Sequence, residues 1–489
     1  MKLKDLLKDV PGTHVNGNGG VEIIGLAYSS LEVQQGFLFA ALRGEKRDGN
    51  DFIKDALSRG ASAVLSEKPK PPHLDVTWIT AVDAREALAL AAANFYGHPS
   101  STMKVVGITG TKGKTTLTYL LESILKRAGH QTGVIGTINY RWADKVLAAG
   151  RTTPEAPEIQ RMMREMLGQS VTHCLVEVSS HGLDLKRVWG IQFDIAVFTN
   201  LSAEHLDYHE SMEDYFEAKK KLFFLNAKKR TAVVNWDDPW GKKLIAELPL
   251  TTVSFGLEPA AIVRGQNYRQ TETGTKAEVE FPSGQVKICS ALMGKHNFSN
   301  ILAAFATSLA LNIPVPTIKE GITALKNIPG RIEKIENPFG FLVFVDYAHT
   351  DSALRSLLET VRELEPGRIL LVFGAGGDRD KSKRPRMGEV AAKLADWTYL
   401  TSDNPRSEDP LAIIADIEKG FLLQSSKNYR VVPDRRKAIE EALAEARKGD
   451  YVLVAGKGHE TYQVFRDRTV SFDDSEVIRS ILKTMESKQ

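Results

Sequence analysis

Seven residues carry the first chemical signal: Gly110-Thr111-Lys112-Gly113-Lys114-Thr115-Thr116, directly behind the apolar run Val105-Val106-Gly107-Ile108. Glycines let backbone N–H groups close around phosphate oxygens, Lys114 supplies a point charge, and Thr115 offers a hydroxyl to Mg²⁺. A helix that starts here turns its positive end to the anion. A nucleoside triphosphate site is expected. The match is to a short G-x-x-G-K-T-T form, because Ile108 stands where the longer pattern has its first glycine. The bland alternative is a Gly/Thr turn before an amphipathic helix.

Other reactive residues fall behind apolar runs too. Glu177 closes Cys174-Leu175-Val176-Glu177-Val178 and precedes Ser179-Ser180-His181-Gly182. A carboxylate at the carboxyl end of a strand suits Mg²⁺ beside Thr115, or else pairs with a nearby lysine. The dense polar stretch Asn200 to His209 follows Ile195 to Thr199, and reads either as metal or phosphate contacts or as a solvated loop. It lacks the spacing of a closed zinc site. Lys219-Lys220-Lys221 is most simply a solvated helix face. Further on, Gly374 to Asp380, Ser402-Asp403-Asn404-Pro405-Arg406 and Ala455-Gly456-Lys457-Gly458-His459-Glu460 follow three further strand-like runs. An arginine fork meets a carboxylate and an aspartate meets an ammonium, so these ends suit a zwitterionic amino acid; independent loop salt bridges are the alternative.

These groups need strands to present them. Runs at Lys104 to Thr109, Cys174 to Val178, Ile195 to Thr199 and Thr231 to Asn235 alternate with helical stretches such as Thr115 to Ala128 and Met212 to Leu225, predicting a mostly parallel sheet. Residues 250–290 turn to Thr/Val/Gln-rich stretches expected as antiparallel strands at a sheet edge. From Phe341 a second doubly wound unit follows, with strands at Phe341 to Val345, Arg368 to Phe373, Trp397 to Thr401, Arg430 to Val432 and Tyr451 to Ala455. Ahead of the phosphate loop, residues 1–98 read as a small α/β domain. Turn residues at Tyr96 to Ser101 and at Ile328-Pro329-Gly330-Arg331 divide the chain into 1–100, 101–330 and 331–489. Three domains also fit 489 residues at roughly 150 per domain.

Lys+Arg 64 against Asp+Glu 61 leaves a net charge of +3, which argues for neither a nucleic-acid nor a membrane partner. Cys174 and Cys289, both in apolar or strand-like stretches, are expected as reduced, buried thiols. No apolar run approaches a signal or membrane segment, so a cytoplasmic location is expected.

The motifs together resemble the Mur ligase family of peptidoglycan synthesis, in the branch that adds the third residue of the peptide. The likeness also rests on Thr152-Thr153-Pro154-Glu155, Met293-Gly294-Lys295-His296-Asn297, Pro329-Gly330-Arg331 and Asp346-Tyr347-Ala348-His349. It implies a three-domain α/β enzyme: a small N-terminal domain for a UDP-sugar, a central P-loop domain for ATP and a Rossmann-like C-terminal domain for an amino acid. The implied reaction is ATP-driven addition of meso-diaminopimelate to the D-glutamyl side-chain carboxylate of UDP-N-acetylmuramoyl-L-Ala-D-Glu, through an acyl phosphate, by a monomer. Rivals are a relative that adds L-lysine or another amino acid, and a non-catalytic nucleotide-binding homologue.

The resemblance also implies roles. Ser30, Thr152, Thr153, Ser179 and Arg187 contact the UDP-muramoyl substrate; Lys114, Thr115, Glu177 and His205 serve ATP and Mg²⁺; Asn297, Arg331 and Asp346 complete the ATP site. Lys219 maps to a carbamylated lysine, a further Mg²⁺ ligand. Arg379, Asp403, Asn404, Pro405, Arg406, Gly456 and Glu460 hold the amino acid, Arg406 on a carboxylate of its distal centre. Departures from the family pattern are Ser29-Ser30-Leu31, Leu185, Arg151 and Glu204.

Overall fold

The computed structural model describes residues 1–44, 47–203, 208–225 and 230–487. The chain divides into two compact units, one of Met1–Gln266 with Val279–Val286 and Ser299–Ile322, the other of Asn267–Glu278, Lys287–Phe298 and Thr323–Gln489.

The first unit holds one large sheet whole and most of a second. A five-stranded sheet runs in the order Thr13–Asn16, Thr77–Ala81, Ala63–Ser66, Phe37–Ala40, Gly25–Ala27. Its first pair is antiparallel and the others are parallel. Leu38, Leu65 and Ile79 fill one core while Phe39, Val64 and Trp78 fill another, so alternate side chains on these strands are buried on both faces. Helix Ala84–Phe95 is capped by Asp83, whose carboxylate accepts from the N–H of Glu86.

The second sheet positions the phosphate loop. Strand Lys104–Thr109 lies between His173–Glu177 and Ile195–Phe198, parallel to both. Beyond Ile195–Phe198 come Thr231–Asn235 and Thr251–Gly256, then Val263–Thr271, Gly274–Phe281 and Gly284–Ser290. On the other side lie Thr132–Ile135 and two antiparallel strands, Asn139–Trp142 and Lys145–Ala148, in a stretch where no strand was expected. Parallel strands put every carboxyl end on one edge, so Thr109, Ile135, Glu177 and Phe198 all end there.

In the second unit the order is Glu333–Ile335, Leu342–Asp346, Tyr451–Ala455, Ile369–Phe373, Trp397–Leu400, Tyr429–Val431. Only the first pair is antiparallel. Leu371, Phe373 and Leu453 pack towards Leu357, Met387 and Ile417, while Leu370, Val372 and Val452 pack towards Ile439, Leu443 and Ile478. Helices thus cover both faces, the doubly wound arrangement.

Two expectations are overturned. Residues 250–290 are not simply antiparallel, since Thr251–Gly256 runs parallel to Thr231–Asn235 and Val263–Thr271 parallel to Thr251–Gly256, which carries the parallel order of the sheet outward. Nor are both thiols buried. Cys174 is buried, but Cys289 is exposed. In strand Gly284–Ser290 burial alternates at its end, with Ile288 and Ser290 inward and Cys289 outward, as a period of two requires. Among the described residues no helix is long and apolar enough to cross a membrane.

Candidate functional site

In the first unit the phosphate loop is braced by the neighbouring strand end. The N–H of Thr111 donates to the Asn200 carbonyl at 2.9 Å, and the N–H of Lys112 to Asn200 Oδ1 at 3.0 Å. Thr199 Oγ1 and Asn200 Nδ2 both donate to the Lys112 carbonyl, at 2.7 and 3.1 Å. Gly113 caps helix Lys114–Arg127 with φ +90°, where a Cβ would also press on Asn300 Oδ1. Glycine is required there on both counts. Lys114 folds its ammonium back over the loop, donating to the carbonyls of Gly110 at 2.7 Å and Thr111 at 3.0 Å. The loop is therefore held in shape at the start of helix Lys114–Arg127, whose first-turn N–H groups have no intrahelical acceptor and are the donors a phosphate would take.

Glu177 is 1% exposed and closes strand His173–Glu177. Its Oε2 accepts from Thr115 Oγ1 at 3.0 Å and from Thr137 Oγ1 at 2.8 Å, and its Oε1 from the Thr137 N–H at 3.2 Å. Since the Thr137 proton goes to Glu177, Thr152, 3.0 Å away, donates to the Thr137 oxygen. Hard oxygen donors side by side are what Mg²⁺ takes, and Mg²⁺ keeps several waters, so Thr115 and Glu177 fit it without further carboxylates. Among the described residues no group of three His, Cys, Asp or Glu could hold a metal. Thr137 was missed in the sequence, although it follows strand Thr132–Ile135 just as Ser179 follows its own.

Lys219 is no solvated face. It is 1% exposed on helix Met212–Phe224, its Nζ 3.1 Å from the Gly110 carbonyl and 4.3 Å from the centre of the Tyr215 ring. Lys114 and Lys219 thus donate to the same carbonyl. His205 and Glu204 lie outside the described residues.

The predicted sugar-nucleotide residues gather next to Glu177. Thr153 Oγ1 donates to the Glu177 carbonyl at 2.8 Å and accepts from the Ser179 N–H at 2.9 Å, while Ser179 Oγ caps helix Ser180–Asp184 by accepting from Gly182. Arg187 Nη1 donates to the Thr153 carbonyl at 3.0 Å, and its Nε lies 2.9 Å from Glu155 Oε1. Arg151 donates to the same Glu155 oxygen at 2.7 Å, so the arginine that departs from the family pattern joins this cluster. Ser30 belongs to the N-terminal layer, where its hydroxyl donates to Asp55 and lowers that carboxyl's pKa.

The second unit brings the other predicted set to three adjacent strand ends, those of Tyr451–Ala455, Ile369–Phe373 and Trp397–Leu400. Asn404, 1% exposed, donates to Glu460 Oε2 at 2.7 Å and accepts from the Val464 N–H at 3.0 Å. Gly456 has φ +114°, and a Cβ there would stand 2.6 Å from Asp403 Oδ2. Arg406, just after Pro405, is left-handed at φ +53° and donates from Nη1 to the Gly377 carbonyl at 2.7 Å. Arg379 is exposed and donates to the Asp378 carbonyl, so it is not drawn into the Asn404–Glu460 pair. Lys457, fully buried and given no role of its own from the sequence, reaches Glu460 Oε2 at 3.3 Å.

A second cluster lies at the end of Leu342–Asp346. The Asp346 carboxylate accepts from the N–H groups of Ile332 and Ala348, each at 2.8 Å, and the Arg331 guanidinium stands 4.8 Å from the Tyr347 ring centre. His459 lies 4.9 Å from that ring, and burial, aided by the Arg331 charge, pushes its pKa down to about 4. Asn297, 2% exposed, donates to the Met293 carbonyl at 2.8 Å.

Three family models match the chain: Mur ligase family, catalytic domain, over residues 22–96; Mur ligase middle domain over 108–308; and Mur ligase, glutamate ligase domain, over 330–458. A curated relative from Geobacter metallireducens, UDP-N-acetylmuramoyl-L-alanyl-D-glutamate–2,6-diaminopimelate ligase, is 43% identical over 508 residues, covering 100% of this chain and 99% of its own. The protein of that name from Solibacter usitatus is 46% identical over 464 residues, covering 94% of each. A solved structure of a ligase of the same name matches with TM-score 0.73 and 29% identity over 99% of both chains. MurF ligase from Thermotoga maritima, solved with ADP, shares the fold at TM-score 0.65 and 23% identity, over 96% of this chain and 99% of its own. With a loop braced for phosphate, a threonine-held carboxylate at the next strand end, and relatives matched along its whole length, the chain belongs to the Mur ligase family.

Proposed function

We propose that this chain is an ATP-dependent amide ligase that joins meso-diaminopimelate to the D-glutamyl side-chain carboxylate of UDP-N-acetylmuramoyl-L-Ala-D-Glu. The observation that carries the reading is the chain-long likeness to relatives of that name, joined to the Thr115–Glu177 pair beside the phosphate loop. The γ-phosphoryl of ATP passes to a glutamyl carboxylate oxygen, giving an acyl phosphate and ADP. The amine then attacks the acyl carbon, phosphate leaves, and the amine proton is lost.

Such a transfer needs positioning and charge neutralisation more than a general base. The loop N–H groups and Lys114 bind the phosphates. Thr115, Glu177 and a carbamylated Lys219 would hold Mg²⁺, which when bound neutralises developing phosphate charge. Thr152, Thr153, Ser179 and Arg187 orient the UDP-linked substrate. Asp403, Asn404, Gly456 and Glu460 take the amino acid's ammonium, while Arg406 takes a carboxylate. Domain limits near residues 100 and 330 are supported by the gaps between the family models, 96 to 108 and 308 to 330. ATP and a soluble UDP-linked precursor as substrates fit a cytoplasmic enzyme.

The test is phosphate release measured with ATP, the UDP-dipeptide and a panel of amino acids. Release should require both the UDP-dipeptide and meso-diaminopimelate. Preference for L-lysine would replace the amino-acid assignment, and no release with any amino acid would overturn the ligase reading.

A further inference from the structure

Behind the three strand ends of the second unit sits an ion pair that none of the roles above uses. Arg435 starts helix Arg435–Glu445, and Asp474 starts helix Asp474–Glu486. Both side chains are 0% exposed. The pairing is a fork: Arg435 Nε donates to Asp474 Oδ1 and Nη2 to Oδ2, each at 2.7 Å. The guanidinium has donors left over. Nη2 also donates to the Ala455 carbonyl at 3.0 Å, and Nη1 reaches the Ser402 carbonyl at 3.5 Å. Ala455 immediately precedes Gly456, and Ser402 immediately precedes Asp403. These two strands do not neighbour each other, because Ile369–Phe373 lies between them. Sheet hydrogen bonds therefore do not fix the spacing of their two loops directly; the Asn404–Glu460 bond ties the loops further along, and Arg435 ties them where they leave their strands.

We infer that Arg435, locked by Asp474, is a positioning residue that sets the distance between the Ser402–Arg406 loop and the Gly456–Glu460 loop, and so sets the amino-acid site. A rigid planar cation does this where lysine does not, because its fork spends two donors on the carboxylate and still spans both carbonyls. Its charge also lies near Asp403 and Glu460, the two acids proposed to meet the ammonium. A buried ion pair contributes little net stability compared with apolar residues of similar volume, so its value here lies in geometry. The inference rests on the proposed amino-acid site and adds a residue that touches no substrate.

The experiment is the double variant Arg435→Met with Asp474→Leu in the full-length chain, which removes both charges together and leaves neither buried alone. With the fold retained, the KM for meso-diaminopimelate should rise at least tenfold while the KM for ATP moves less than twofold. Backbone amide exchange at Asn404 and Gly456 should quicken at least tenfold, a readout independent of the reaction. An unchanged amino-acid KM with unchanged exchange, or equal rises in both KM values, overturns the inference. If the double variant does not fold, Arg435→Lys decides by the same measurements. A parent chain that fails to use meso-diaminopimelate counts against the proposed function, and the exchange rates still judge the pair.

Discussion

Thr137 grips both oxygens of Glu177, its N–H on Oε1 at 3.2 Å and its hydroxyl on Oε2 at 2.8 Å. Gly136, just before it, lies so close that a Cβ there would strike the Glu177 carboxylate. The carboxylate is thereby aimed at Thr115 by a residue that itself needs to touch no ligand. Partners that orient a metal-binding carboxylate typically matter by roughly 10–100-fold. Thr137→Val should therefore raise the Mg²⁺ concentration for half-maximal phosphate release by roughly tenfold or more, with the KM for meso-diaminopimelate nearly unchanged. A Mg²⁺ titration of both proteins checks this, and superimposable curves would make Thr137 a packing residue only.

Lys114 hydrogen-bonds two loop carbonyls, so it shapes the loop as well as charging it. Removing one preorganised charge from a phosphoryl-transfer site costs about 100–1,000-fold. Lys114→Ala should lower ADP formation by at least that factor, and near-normal turnover would sink the phosphate-loop assignment.

The strand ends were legible in the sequence because parallel strands buried on both faces are continuous apolar runs, and the residue that breaks the run marks the carboxyl end. Glu177, Asp403 and Gly456 were found that way. Thr137 was not, because its strand is a short Thr132–Ile135 with two glycines around it and no long apolar run. Arg435 and Asp474 were invisible for another reason. Each follows an aspartate cap and reads as the polar start of a surface helix; only the tertiary fold brings residues 39 apart into one buried pair. Lys219 stood in a charge run whose three members share no face, and the run gave no sign that the first of them turns inward.

Arg406 donates from one nitrogen to the Gly377 carbonyl, which leaves the rest of its fork for a ligand carboxylate. Lysine keeps the charge and loses the planar two-point grip. Arg406→Lys should raise the KM for meso-diaminopimelate by about tenfold or more, roughly 1.4 kcal/mol, and leave the KM for ATP within twofold. Equal losses for both substrates would assign Arg406 to the fold of its loop.

Two histidines give the chain a pH signature. Burial pushes the pKa of His459 and of His173 down to about 4 from 6.5. The folded protein holds both neutral, whereas the unfolded chain binds protons below about pH 6.5, so stability is full above that pH and falls as pH drops towards 4. The slope per histidine is at most about 1.4 kcal/mol per pH unit. Urea unfolding between pH 7 and 4 should show the decline, and His459→Asn should make it shallower. An unchanged slope in that variant would mean that His459 takes up its proton in the folded state at no cost.

Lys219 is buried against Tyr215 with its ammonium on the Gly110 carbonyl, the carbonyl that Lys114 also uses. Two cations on one carbonyl in a buried site repel each other, and addition of CO₂ to the Lys219 amine would turn one of them into an anion. That exchange would give Mg²⁺ an oxygen ligand and would leave Lys114 as the charge for the phosphates. Lys219→Ala should therefore lose most activity, and millimolar short-chain carboxylic acids should restore part of it by filling the space of the lost carbamate. The same acids should do nothing for Lys114→Ala, whose defect is a missing cation. Rescue absent in Lys219→Ala, or present equally in both variants, would leave Lys219 an ammonium that braces the loop.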